Sequence, residues 1–304
     1  MWNWLFGRKQ PSESKPAPKP APVPESPLLD EPWREVNWSE EKQRDLQYVK
    51  NYKPPTEGQQ VRILLHGPAG SGKSSFINSV QSVLNDRMYR QALADNISGS
   101  SFTKKYTTYK VPKDKDTFYP FVFNDIMGLE SREQGGVHVD DVKLALKGHM
   151  KEDYQLNPQS KLSEENLYYN KSPKPNNKVQ VLVLIIPADT LAFMKNELVQ
   201  KIREILMAAA DLAIPQIALI TKIDQACPEI SRDLKNVYRS KYLKRKMQQL
   251  STDVGIPMNC IFTVKNYHEE TKLNNDVDTL ILNDLTQIIT CGDDYLKFLL
   301  DQSD

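Results

Sequence analysis

Gly67-Pro-Ala-Gly-Ser-Gly-Lys-Ser74 is the stretch that decides the fold. It fits G-x-x-x-x-G-K-[ST] at every fixed position: Gly67, Gly72, Lys73 and Ser74. Before it runs Val61-Arg-Ile-Leu-Leu-His66, a short apolar run of strand type. After it, Phe76, Ile77, Val80, Val83 and Leu84 recur at helical spacing. Strand, glycine loop and helix follow in the order a phosphate cradle needs. Glycine permits backbone angles that side chains forbid. The loop amides and the helix N-terminus then point at phosphate oxygens. This reading assigns Gly67, Pro68, Ala69, Gly70, Ser71, Gly72, Lys73, Ser74 and Ser75 to phosphate. Lys73 supplies charge to the β and γ phosphates, and the Ser74 hydroxyl is a Mg²⁺ ligand. Taken alone, the loop also fits an ordinary glycine-rich turn between strand and helix.

Three further segments follow in the order of a GTPase. Phe118-Tyr-Pro-Phe-Val-Phe-Asn-Asp125 is an apolar run ending in an acid, and Asp125-Ile-Met-Gly128 fits D-x-x-G. Asp125 at a strand tip can hold Mg²⁺ through water, and the Gly128 amide can sense a γ-phosphate. By itself D-x-x-G is a weak pattern, because such turns are common. Gln216-Ile-Ala-Leu-Ile-Thr221 reads as a buried strand that runs into Thr221-Lys-Ile-Asp224, a variant of the guanine motif N-K-x-D. A carboxylate at Asp224 can accept two hydrogen bonds from guanine, from the ring imino and the exocyclic amino groups, a pair adenine does not offer. The Lys222 stem can lie over the base. A helix N-cap aspartate is the competing reading of Asp224. Finally, Cys260-Ile-Phe-Thr-Val-Lys265 resembles a last strand with its base-contacting loop, and puts Lys265 beside Thr221, Lys222 and Asp224 in the base-binding set.

Motif, strand and helix alternate from Val61 onward, which predicts a three-layer α/β domain: a mainly parallel sheet with helices on both faces, the P-loop NTPase fold of Ras-like GTPases. Val179-Gln-Val-Leu-Val-Leu-Ile-Ile186 reads as a central strand buried on both faces, too short to span a bilayer. Lys195 to Leu212 reads as a helix, Ile230 to Leu250 as a basic helix-permissive stretch, and Asp276 to Leu300 as a helix interrupted near Gly292. Residues 1–31 form a Pro-rich tail expected to be disordered, 32–58 an arm docking through Trp33, Trp38, Leu46 and Tyr48, and 59–304 the GTPase-like domain. About 150–178 is a polar insertion expected to be flexible beside the second switch.

The chain resembles the interferon-induced 44 kDa protein family, within the P-loop GTPase superfamily. The resemblance rests on the phosphate loop with its Gly-Lys-Ser-Ser start, on Asn124 to Leu129, on Gly135-Gly136 followed by Asp140-Asp141, and on Pro32-Trp-Arg-Glu-Val-Asn-Trp38. It implies a cytoplasmic, interferon-inducible protein of the antiviral immune response that binds GTP or GDP.

Composition bounds the rest. Forty basic and thirty-nine acidic residues give a net charge of +1, so no global field draws the chain to nucleic acid or anionic membrane. Arg239, Lys241, Lys244, Arg245 and Lys246 crowd together, a solvated helix face that also suits lipid headgroups or RNA. Cys227, Cys260 and Cys291 show no metal or disulfide spacing, which suits a reducing cytosol. Four histidines are scattered, and structural or exposed places are expected for them. Met1-Trp-Asn-Trp-Leu-Phe6 is too short for a secretory signal core; it fits a peptide engaging a membrane surface or partner, and equally an incidental feature of this start.

About thirty residues separate Lys73 from Thr103, so the first switch is long; Thr103 is the chosen Mg²⁺ threonine, with Thr107 competing. Leu129 stands where a Ras-like enzyme often has a water-orienting glutamine. Hydrolysis is therefore expected to be slow, with Glu130, Glu133, Gln134 or a residue from a homo-oligomer or protein partner at the switch regions as substitutes. On this reading Leu129→Gln raises the monomer rate if the water position is otherwise intact. A non-hydrolysing scaffold and, less well, an ATP-using phosphotransferase are the alternatives.

Overall fold

The computed structural model describes residues 26–90, 92, 104–132 and 135–302. Six strands among them form one sheet: β1 (Val61–His66), β2 (Thr107–Pro112), β3 (Phe118–Asp125), β4 (Val181–Pro187), β5 (Gln216–Thr221) and β6 (Ile261–Thr263). Eight α-helices accompany them: α1 (Glu41–Asn51), α2 (Lys73–Leu84), α3 (Val139–Leu146), α4 (Asn196–Ala210), α5 (Ile223–Ala226), α6 (Pro228–Arg232), α7 (Lys241–Val254) and α8 (Asn275–Asp301). The strand order is β2-β3-β1-β4-β5-β6. Only the β2–β3 pairing is antiparallel. This is the three-layer P-loop GTPase architecture expected from the alternation of motifs.

Side-chain alternation along the strands divides the core into two halves. Ile63 and Leu65 of β1 join Val181, Val183 and Ile185 of β4 on one face, covered by Phe76, Ile77 and Val80 of α2 and Ile281, Leu285 and Ile288 of α8. Leu64, Leu182, Leu184 and Ile186 face the other way, onto Val142 of α3, Ile202 and Ile205 of α4, and Leu243, Met247 and Leu250 of α7. Every residue of β4 is buried, as its unbroken apolar run requires. No helix among the described residues is long and apolar enough to cross a membrane.

Three local expectations are corrected. First, α8 runs through Gly292 without a break. A Cβ at Gly292 would meet Val61 Cγ1 at 2.4 Å, so the glycine lets the helix close on β1 and does not end it. Second, the basic stretch from Ile230 divides into α6 and α7. The Asp233 side chain accepts from Lys235 N–H, and the Ser240 hydroxyl caps α7 by accepting from Leu243 N–H. Third, the polar insertion is held to the domain. Tyr106 N–H donates to Tyr154 O at 2.9 Å, Leu156 N–H to Lys104 O at 2.9 Å, and Leu162 N–H to the Asp141 carboxylate at 2.7 Å. Tyr154, Leu156 and Leu162 are buried. Its prolines and polar residues misled because the few apolar side chains between them carry the docking.

Residues 1–25, including the apolar Met1–Phe6, lie outside the described residues. In the segment from 32 to 58, the Trp33 ring meets Tyr238 edge-on at 5.1 Å. The Arg34 guanidinium donates to Ile261 O and Met258 O, each at 2.8 Å, behind β6. Tyr48 hydroxyl lies 3.1 Å from Thr290 Oγ1 on α8.

Candidate functional site

The phosphate loop leaves β1 at the C-terminal edge of the sheet. Gly67 has φ 139°, and a Cβ there would lie 2.0 Å from Ile185 O of the neighbouring strand, so glycine is required. The loop ends at Gly72, and α2 starts with Lys73. A helix start of this kind offers first-turn amides to an anion. The buried Lys73 ammonium donates to Pro68 O at 3.0 Å and Gly67 O at 3.5 Å. Ser74 Oγ donates to Asp125 Oδ2 at 2.5 Å, which brings two hard oxygen groups together at the tip of β3.

Behind the loop, His66 ends β1 with no surface exposed and neither ring nitrogen hydrogen-bonded. Burial, reinforced by the Lys73 charge, pushes its imidazole down to about 3, so it is neutral at ordinary pH. This fits the structural role expected for it.

The D-x-x-G segment lies on the phosphate loop. Leu129 N–H donates to Gly67 O at 2.9 Å, and Ala69 N–H to Leu129 O at 3.1 Å. A Cβ at Gly128 would lie 2.4 Å from Ala69 N. Leu129 itself is buried within the core under α3. Its side chain is therefore a packing element, and the expectation that Leu129→Gln speeds the reaction is dropped. Glu130 does not line the cleft: Arg132 lies 3.8 Å from its carboxylate, and Lys201 donates to its carbonyl at 2.9 Å. Glu133, Gln134 and Thr103 lie outside the described residues. Thr107 is the partner of Asp125 in the β2–β3 ladder.

The base segment sits at the end of β5. Thr221 is fully buried, and its hydroxyl donates to Ser71 O at 2.7 Å, spanning 150 positions of sequence. It latches β5 to the phosphate loop and does not face the cleft, which corrects its place among base contacts. Lys222 turns the chain at φ 55° and ψ 34°. Lys222 and Asp224 then project into the same cleft as Lys265, whose Nζ lies 3.9 Å from Asp224 Oδ2. The loop after β6 is pinned to α2: Asn266 Nδ2 donates to Gly72 O at 3.1 Å, and Tyr267 N–H to Ser79 Oγ at 2.9 Å.

Together these parts enclose a cleft of about 680 Å³. Ala69, Gly70, Gly72, Lys73, Ser74 and Ser75 of the loop line it together with Lys222, Asp224 and Lys265. Gly67, Pro68, Ser71 and Gly128 shape the loop from behind and are not among its lining. Asp189, Asn266, Tyr267, His268, Glu269 and Glu270 also line it, and motif reading missed them. Asn266 and Tyr267 directly follow the Thr263-Val-Lys265 match, the one signal that pointed near them. Among the described residues, no three His, Cys, Asp or Glu side chains gather into a metal cage. Ser74 and Asp125 nonetheless suit Mg²⁺, which takes one or two protein oxygens and otherwise phosphate and water.

Sheet order, the phosphate loop after β1 and the Thr221–Asp224 segment after β5, two strands away, define a protein of the P-loop GTPase fold. No family model matches the chain. Human interferon-induced protein 44-like is 31% identical over 274 residues, 89% of this chain and 60% of that protein. Chimpanzee (Pan troglodytes) interferon-induced protein 44 is 32% identical over 243 residues, 79% of this chain and 54% of that protein. The chain belongs with the interferon-induced protein 44 and 44-like proteins, and it spans a little over half the length of these relatives. Among solved structures, Toc33 from Arabidopsis thaliana in complex with GDP and Mg²⁺ aligns over 86% of this chain and 93% of that one, at 13% identity and a TM-score of 0.47.

Proposed function

We propose that the cleft binds guanine nucleotide, GDP or GTP, with Mg²⁺, and that the protein acts as a nucleotide-dependent switch or scaffold. One observation carries this reading. The Gly67–Ser75 loop and the Lys222–Asp224 segment, far apart in sequence, both contribute residues to the lining of one cleft of nucleotide size. The loop amides and Lys73 bind the phosphates. Ser74, and Asp125 through water, hold Mg²⁺, which would offset charge on the β and γ phosphates. Asp224 accepts the guanine imino and amino protons, and the stem of Lys222 covers the base.

Hydrolysis in this reading is slow or partner-dependent. Leu129 is buried, and Glu130 is not in the cleft lining, so neither is placed to orient water. An arginine supplied in trans, by a second copy or another protein at the switch regions, would add about 10³–10⁵ in rate. The pairing of Leu129 with Gly67 and Ala69 favours a second reading, a non-hydrolysing scaffold whose D-x-x-G segment stays on the loop. The names of the relatives carry interferon induction; an antiviral immune role in the cytoplasm is part of the proposal. Calorimetric titration with GDP, GTP and ADP, followed by phosphate release against protein concentration, tests both readings. Tight binding of ADP with no preference for GDP would remove the guanine assignment.

A further inference from the structure

Beyond the residues already given a role, the base end of the cleft holds a second carboxylate, Glu270. Lys265 lies between two acids, with Nζ 3.0 Å from Glu270 Oε1 and 3.9 Å from Asp224 Oδ2. Glu270 is firmly seated, because its other oxygen accepts from His268 N–H at 2.8 Å. The loop that carries it is anchored at its start, where Tyr267 N–H is bound to α2 and the Tyr267 hydroxyl donates to Asp278 at 2.6 Å. Burial by itself would raise the Glu270 carboxyl. The backbone N–H bonds from His268 and from Glu270 itself, with the bond from Lys265, overcome this and hold it down to about 2. Glu270 is thus a fixed negative charge at neutral pH.

The consequence concerns Asp224. To accept two guanine protons its carboxylate needs both oxygens open toward the base. An ammonium bound to it directly would occupy one of them and weaken its basicity. Glu270 holds the Lys265 ammonium at hydrogen-bond distance and leaves only a longer contact to Asp224. We infer that Glu270 is a positioning residue for base specificity, drawing Lys265 away from Asp224 so that the Asp224 carboxylate stays open to guanine.

This inference rests on the guanine reading above, and the test separates the two. The probes are GDP, IDP (which lacks the 2-amino group) and XDP, titrated calorimetrically into the full chain. In Glu270→Gln the GDP-over-IDP preference should fall by about three- to five-fold, the scale of one partly exposed ion pair. Lys265→Met, which keeps the stem and removes the charge, serves as the second background, whatever its own effect on affinity. Adding Glu270→Gln to Lys265→Met should then change nothing further. An equal drop in both backgrounds, or no drop in either, overturns the inference, since Glu270 would then act on the loop or on nothing. Lys265→Met and Glu270→Asp keep the question answerable if Glu270→Gln folds poorly: Glu270→Asp should restore most of the preference, and an unchanged loss there counts against it. Asp224→Asn in the wild-type background checks the reading beneath. If it fails to turn preference from GDP toward XDP, the guanine assignment falls; if it succeeds while the Glu270 variants are silent, only the present inference falls.

Discussion

Ser74 and Asp125, 51 positions apart, meet through a 2.5 Å hydrogen bond between the start of α2 and the tip of β3. The pairing joins the phosphate loop to the D-x-x-G segment at the two side chains proposed to hold Mg²⁺, Ser74 directly and Asp125 through water. It also explains why the loop after β3 lies on the phosphate loop, since Leu129 and Gly128 follow within four residues.

Lys73→Ala should abolish nucleotide binding while the fold survives. The ammonium is buried at the floor of the phosphate loop and bonded to Pro68 O and Gly67 O. Its loss leaves phosphate charge uncompensated, at a cost of about 2–5 kcal/mol of affinity. Titration of GDP into wild type and variant, with circular dichroism as the folding control, checks this; equal affinity would count against the site.

Asp224→Asn should weaken guanine nucleotides and improve xanthine nucleotides relative to them. Asn presents an amide donor where xanthine offers an extra oxygen. A variant that keeps the wild-type ratio of GDP to XDP affinity would reduce Asp224 to a helix-terminal acid.

Leu129→Gln should destabilise the domain and leave basal turnover no faster. The side chain is buried in the core, so the substitution places an amide among apolar groups, costing about 1–3 kcal/mol. Urea denaturation with phosphate release measures both. A faster, equally stable variant would place the residue at the attacking water after all.

Gly292→Ala should lower stability by about 1–3 kcal/mol, because the new methyl meets Val61 Cγ1. Val61→Ala in the same chain should recover part of the loss by removing that atom. Thermal melts of the two single variants and the double variant decide it; full additivity would mean the helix does not press on β1.

Stability should fall as pH drops from about 6.5 toward 3, in part through His66. The folded imidazole is held below its ordinary value, so below 6.5 the unfolded chain takes up a proton that the folded chain refuses. The loss grows by about 1.4 kcal/mol per pH unit and levels off below the folded value. His66→Leu should show a shallower decline over this window than wild type. Identical slopes would mean that His66 is protonated in the folded state.

The phosphate loop and five of the six strands, all but β2, were legible because each rests on local chemistry. Glycine spacing, an apolar run and a following helical period are written within ten or twenty residues. The course of α8 was not, because Gly292 reads as a break until β1 is seen against it. The insertion was not, because Tyr154, Leu156 and Leu162 dock on elements distant in sequence. Leu129 was taken for a failed catalytic position, and only its burial shows that it packs.

At the site, sequence by itself determined which residues are able to carry charge to a phosphate and which acid stands at a strand end ready for a base. Patterns of residue type state chemical capacity, and that capacity is local. Tertiary structure alone decided that Thr221 latches the phosphate loop from behind, and that Glu270 meets Lys265 beside Asp224. Such relations depend on where the sheet brings separate loops together. Hydrogen bonds act over about 3 Å in space and take no account of separation along the chain.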